Sequence, residues 1–159
     1  MEIHNIQQNA GDASGDAWSI TYHFVWGPMR SKPCLTGEVA ERLRALIEER
    51  ASAVEFHPLL VMVLPDRVYL VAAAPPTLAP HRIVCQIKAH TSRILRDEFP
   101  ELTRIPTLWT RAYLVMAGDQ LTAAEVFERF EAAQPPRKPR GRPRKVQMAS
   151  GEEAAGDEE

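Results

Sequence analysis

The sequence predicts an α+β fold, a ferredoxin-like split βαβ sandwich in which an antiparallel sheet carries two helices on one face, with a further C-terminal helix and disordered tails. Three observations predict it. Large apolar residues recur at every second position in "WSITYHFVWG", two runs of helical period open at Thr36 and Pro80, and Pro65 and Asp66 join two apolar runs as a hairpin. The order that results is β-α-β-β-α-β, followed by one added helix.

Residues 1–16 are rich in Gly, Asn, Gln, Asp and Ala and read as a mobile lead-in. In the first strand Trp18, Ile20, Tyr22, Phe24 and Trp26 share a face, opposite Ser19, Thr21 and His23. After the turn "GPMRSKP", Thr36 is placed to cap a helix whose inward positions are Val39, Leu43, Leu46 and Ile47. Strands are expected over Val54 to Leu64 and Arg67 to Ala73. "APPTLAP" then breaks the chain, and Pro80 suits the first position of a second helix. Its inward stripe is Ile83, Val84, Ile87, Thr91, Ile94 and Leu95, with Arg82, Arg93 and Arg96 on the outer side. A fourth strand, Thr107 to Met116, is expected to bring Trp109, Arg111 and Tyr113 to one face. Thr122 and Glu125 form a T-x-x-E capping box for a last helix running through Val126, Phe127 and Phe130 to about Gln134, before Pro135 and Pro136.

At 159 residues, 45% of them apolar, the chain is large enough for one domain with a substantial core, placed here at residues 17–134. Cys34 and Cys85 lack the spacing of a metal or redox pair and read as small buried fillers. No apolar run is long enough to span a bilayer and the first residues lack the regions of a signal peptide, so a cytoplasmic protein without membrane partners is expected. The net charge of −2 is unevenly distributed. Six basic residues fall in "RKPRGRPRK" and five acids in "GEEAAGDEE"; taken from totals of 19 and 21, these leave 13 basic and 16 acidic residues in the body.

The stretches "YHFVWGPMRSKPCLTGEVAERLRALIEE", "VLPDRVYLVAAAPPTLAPHRIVCQIKAHTSRIL", "EFPEL" and "PTLWTRAYLV", in this order and spacing, resemble the small single-domain tyrosine (HUH) transposases of the IS200/IS605 type. The resemblance covers about Tyr22 to Gln134. It implies a metal site formed by a His-hydrophobic-His motif in the strand after "PD", Mg or Mn as the ion, and a nucleophilic tyrosine on the last helix with a metal-binding Gln one turn beyond. Placed residue by residue, those positions fall on Arg67, Tyr69, Phe130 and Gln134.

Neutral imidazoles two residues apart on a strand can aim two lone pairs at one ion. Guanidinium stays protonated and has no acceptor, so Arg67 would repel that ion. Tyr69 would ligate only after losing a proton whose ordinary pKa is about 10. Phe130 has no hydroxyl with which to form a covalent intermediate. Three departures in the ligands and the nucleophile point to a frame kept without its reaction, with no catalytic residue and no bound metal or other cofactor expected. His23, His57, His81 and His90 form no recognised pair that would rebuild the site, and Tyr22 and Tyr113 read as packing residues.

Residues 135–159 read as a disordered tail whose "PRGRP" segment is the core of an AT-hook. Pro139 and Pro143 favour an extended chain, Gly141 allows close approach, and Arg140 and Arg142 suit the negative potential of an A·T minor groove. Flanking Arg137, Lys138, Arg144 and Lys145 suit phosphates. The family resemblance further implies a homodimer that grips hairpins of single-stranded DNA, with Arg82, Lys88, Arg93 and Arg104 as candidate contacts. The leading expectation is therefore an inactive, transposase-derived DNA-binding protein of regulatory or architectural role, cytoplasmic or nucleoid-associated, whose partners are hairpin or AT-rich DNA. Two alternatives stand beside it: an active single-stranded DNA transposase with an atypical site, and a protein-interaction remnant without DNA binding.

Overall fold

The computed structural model describes residues 20–134 together with the backbone of two short strands, β1 (Ala10–Gly11) and β2 (Ala17–Trp18), which pair with each other. The elements that follow are β3 (Ile20–Trp26), α1 (Gly37–Val54), β4 (His57–Leu64), β5 (Arg67–Ala74), α2 (Pro80–Glu98), β6 (Leu114–Ala117) and α3 (Ala123–Ala133). The four longer strands form one antiparallel sheet in the order β4-β5-β3-β6. This is the expected split βαβ order, with the two interior strands β3 and β5 buried on both faces.

Alternation decides which helix packs where. Phe24 and Trp26 of β3 and Val68, Leu70, Ala72 and Ala74 of β5 share a core with Leu43 and Ile47 of α1 and Ile83, Val84 and Ile87 of α2. The residues between them, Val25 on β3 and Tyr69 and Val71 on β5, join a second core with Val126 and Phe130 of α3. The sheet is therefore a middle layer, α1 and α2 on one side and α3 on the other. Each fully buried Leu, Ile or Phe contributes about 1.5–3 kcal/mol, so the first core dominates the stability.

Helix ends follow sequence chemistry unevenly. The box at α3 forms as expected: the Glu125 N–H donates to Thr122 Oγ1 at 3.3 Å and the Thr122 N–H donates to Glu125 Oε2 at 2.9 Å. Pro80 opens α2 at its first turn. Thr36 precedes α1 without a capping hydrogen bond from its side chain. At the other end Glu55 takes a left-handed conformation, φ 68°, and terminates α1, which delays the next strand to His57 rather than Val54.

The strand expected over Thr107 to Met116 is a correction. Only Leu114–Ala117 is strand, and Trp109 makes an isolated bridge to Pro28. The segment before it is bonded to other groups. The Met29 N–H donates to the Leu108 carbonyl at 2.8 Å, the Thr110 N–H to the Gly27 carbonyl at 3.1 Å, and Lys88 Nζ to the Thr110 carbonyl at 2.6 Å. Trp109, Arg111 and Tyr113 consequently do not share a face: the first is buried, the second exposed, the third half-buried. Gly27 permits this crossing, since a Cβ there would stand 2.8 Å from the Asp66 carbonyl oxygen.

The cysteines also differ from expectation. Cys85 is exposed and fills no core, while Cys34 is half-buried against the margin of the larger core. Ile94 is half-buried, at the margin of its helix's inward stripe. No helix of the described residues is long and apolar enough to cross a membrane.

Trp109 is anchored by its indole Nε1, which donates to Thr91 Oγ1 at 3.1 Å, while the threonine hydroxyl donates to the Ile87 carbonyl at 2.8 Å. Thr91→Val keeps the shape and removes the acceptor. We expect it to cost about 1–3 kcal/mol, the desolvation of an indole N–H left unpaired, and equilibrium urea unfolding will measure it.

Candidate functional site

β5 begins at Arg67, and the pleat places Arg67, Tyr69 and Val71 on the face covered by α3. Each nitrogen of the Arg67 guanidinium donates one hydrogen bond there. Its Nε and Nη2 donate to Asp66 Oδ1 and Oδ2, both at 3.2 Å, and Nη1 donates to Glu131 Oε1 at 3.0 Å. Its central carbon lies 5.5 Å from the Phe127 ring centre and 5.8 Å from that of Phe130. The bonds to Asp66 and then Glu131 hold its pKa above even the usual arginine value. Arg67 thus ties the start of β5 to the last turns of α3.

Two residues on, Tyr69 is 2% exposed. Its ring meets Phe127 edge-on, with centroids 5.3 Å apart, and its hydroxyl lies 2.8 Å from Nδ1 of His23. His23 is itself buried, and its Nε2 lies 2.8 Å from the carbonyl oxygen of Gly118. A carbonyl can only accept, so Nε2 carries the proton. Nδ1 then offers its lone pair to the Tyr69 O–H. Burial raises the Tyr69 pKa, which keeps that hydroxyl a donor and disfavours the phenolate a metal would need.

The other two positions are dissimilar. Phe130 is buried in the α3 core, and its ring completes the apolar bed under Arg67. Gln134 lies beyond the end of α3, extended at ψ 135° and exposed, so the helix does not carry it one turn past Phe130. The structure therefore brings Arg67, Tyr69 and Phe130 together and leaves Gln134 outside.

This donor set does not fit a divalent cation. One position is a cation, one a buried phenol already donating, and one a hydrocarbon ring. Oxygen and nitrogen ligands exist nearby, but Asp66 and Glu131 neutralise Arg67 and the His23 lone pair faces Tyr69. His23 is the residue that sequence reasoning missed. Its signal was available in part: it lies on the face opposite Phe24, and a β3–β5 pairing of Val25 with Tyr69 makes it a diagonal neighbour of that tyrosine.

The candidate DNA contacts on the body occupy the other side of the sheet. Arg82 and Arg93 are exposed on α2, and Arg104 is exposed in the turn after it. Arg104 and Lys32 line a cleft of about 470 Å³ near the start of α1. Lys88 is placed differently: its ammonium donates to the Thr110 and Arg111 carbonyls at 2.6 and 3.3 Å and lies 5.7 Å from the Tyr113 ring centre. Burial lowers its pKa, and its donors are spent on tying a loop to α2. Arg140, Gly141, Arg142 and Pro143 lie outside the described residues.

Tyr69→Phe should destabilise the fold by about 1–3 kcal/mol, because the His23 lone pair loses its donor in a dry interior. Arg67→Met should cost only about 1 kcal/mol, since Glu131 is largely exposed and part of the loss is a cation–π contact. Chemical denaturation of the two variants tests that order; an arginine variant weaker than the tyrosine variant would reverse the assignment of which contact matters.

Comparison with known proteins agrees with this architecture. The family described as "Transposase IS200 like" matches residues 16–130. The ISDra2 transposase TnpA of Deinococcus radiodurans is 25% identical over 121 residues, which span 74% of this chain and 86% of that protein. A crystal structure of a transposase from Deinococcus radiodurans R1 superposes with a TM-score of 0.69 at 24% identity, covering 77% of this chain and 96% of the other. With a match across most of its length, the chain belongs to the IS200-like transposase family.

Proposed function

We propose that this protein is a DNA-binding member of the family that no longer breaks phosphodiester bonds and serves instead as a regulatory or architectural factor. The observation that carries the reading is the state of the catalytic positions. Arg67 is ion-paired across to α3, Tyr69 is hydrogen-bonded to His23, and Phe130 is packed beneath the guanidinium. None of these three side chains offers a solvent-accessible hydroxyl to attack a phosphodiester, and the nearby Asp66 and Glu131 carboxylates are paired with Arg67.

DNA binding rests on the family and on the charge pattern of the chain. The "PRGRP" segment supplies two arginines for an A·T minor groove, and four flanking basic residues supply phosphate contacts. Arg82, Arg93 and Arg104 offer a second surface on the body, and linking two weak contacts raises the effective concentration of each. A homodimer would double both. The acidic end, "GEEAAGDEE", is close enough in sequence to compete with DNA for the basic segment at low salt.

A second reading, a protein-interaction module, is favoured by Leu59 and Leu60, large apolar residues exposed on the edge strand β4. Lack of affinity for any nucleic acid at low salt would select it.

Two experiments test the main reading. In gel-shift titrations of hairpin and AT-rich probes, Arg140→Ala with Arg142→Ala should weaken AT-rich binding by about tenfold or more; unchanged affinity removes the hook from the account. Incubation of the wild-type chain with single-stranded oligonucleotides and Mn or Mg should give no covalent adduct, and an adduct would overturn the proposal. The triple substitution Arg67→His, Tyr69→His and Phe130→Tyr should restore measurable Mn binding by calorimetry, provided the surrounding groups still orient the imidazoles.

A further inference from the structure

A row of basic side chains crosses α2 on the side of the sheet away from α3: Arg50 reaches it from α1, and His90, Arg93 and Arg96 belong to α2 itself. Arg50 joins across the seam between the helices, where its Nη2 donates to Gln86 Oε1 at 2.8 Å. Gln86 precedes His90 by one helical turn and His90 precedes Arg93 by three residues, so the three are neighbours on the helix surface. Arg93 and Arg96, again three apart, border an open groove of about 750 Å³ together with Ser92, Asp97 and Thr103.

The charge of this row is not neutralised. Among the described residues Arg42 and Arg67 are ion-paired, while Arg50, Arg93 and Arg96 have no carboxylate within ion-pair distance. The Nε–H groups of Arg50 and Arg96 are buried without an acceptor. Glu49 and Glu98, on the same two helices, both bond to Arg42, and Asp97 is the one acid that lines the groove. Like charges held in a row repel one another, and a line of anions relieves that repulsion.

His90 responds to the same field. Burial first, then the charges of Arg50 and Arg93 with a further contribution from Arg42, hold its pKa below the usual histidine value, and Glu49 opposes them. An anion placed among these groups raises it again. Binding of that anion therefore takes up a proton and tightens as pH falls through the imidazole range.

Building on the DNA-binding reading above, we propose that Arg50, His90, Arg93 and Arg96 form a track for the phosphates of a DNA backbone, running from the α1–α2 seam into the groove beside Thr103. No aromatic side chain lines the groove, so nothing there stacks on a base. The track holds phosphates irrespective of sequence and leaves preference for A·T-rich sites to the tail.

The test uses the full chain carrying Arg140→Ala and Arg142→Ala, with a labelled oligo-dT strand that offers phosphates but no minor groove. In fluorescence anisotropy over a salt series, Arg93→Gln and Arg96→Gln should each weaken binding about threefold or more and flatten the log–log salt slope by about 0.7. Between about pH 7.5 and about pH 5.5 the affinity should rise, and His90→Gln should abolish that rise. Arg93 is exposed and unpaired, so its variant is expected to fold, and a wild-type circular dichroism spectrum checks this. Unchanged affinity and salt slope in both arginine variants, or a pH response that survives His90→Gln, would overturn the track while leaving the DNA-binding reading in place. Absence of binding by the wild-type chain to every DNA probe at low salt would overturn both.

Discussion

The hydrogen bond between the Tyr69 hydroxyl and Nδ1 of His23 lies in the interior on the α3 side of the sheet, and the rest of that side is arranged around it. A buried phenol or imidazole without a partner costs more than a typical hydrogen bond gains, so the two can be sealed under α3 only as a pair. The Gly118 carbonyl completes the pairing by fixing the histidine's tautomer. With both polar groups satisfied, Val25, Val71, Val126 and Phe130 can close over them as an ordinary apolar core. Arg67 then sits at the rim, where its charge meets Asp66 and Glu131 and its flat face rests on Phe127 and Phe130.

The two faces of the sheet consequently carry different duties. α1 and α2 cover the larger core, and the exposed arginines of α2 point away from it. α3 covers the smaller core and closes over Arg67, Tyr69 and Phe130. A nucleic acid lying along α2 would be separated from Arg67 by the thickness of the sheet. The exposed arginines of α2 and the cluster of Arg67, Tyr69 and Phe130 therefore lie on opposite sides of the sheet. Lys88 illustrates the distinction within a single helix, since it has the charge of its neighbours but is committed to the loop carbonyls.

Much of this was legible in the sequence. Alternation located β3 and β5, Pro65 and Asp66 located the turn between β4 and β5, and Thr122 with Glu125 located the start of α3 to the residue. These are local signals, each decided within a few residues. What escaped was decided at a distance. Residues 107–113 look like a strand because Leu108, Tyr113 and their neighbours suit one, but their backbone partners are Gly27, Met29 and the Lys88 side chain. The resemblance singled out Arg67, Tyr69 and Phe130, but the contacts they make were not legible, because Glu131 and His23 are 64 and 46 residues away from their partners. Cys85 was misjudged for a related reason: small apolar character predicts burial on average, while its place on α2 falls outside the inward stripe.

Arg67, Tyr69 and Phe130 are better understood as one interacting set than as three independent residues. Arg67 rests against Phe127 and Phe130, and Tyr69 packs edge-on against the same Phe127 ring. A histidine at 67 alone would leave Glu131 and Asp66 without their counter-charge and would gain no second ligand. A histidine at 69 alone would face His23 across the gap now bridged by a hydroxyl, with Arg67 still opposing any metal ion. Residues that share partners in this way have non-additive effects. A single substitution here would therefore lose the present packing without placing two adjacent metal ligands, so its cost is not offset by any new contact.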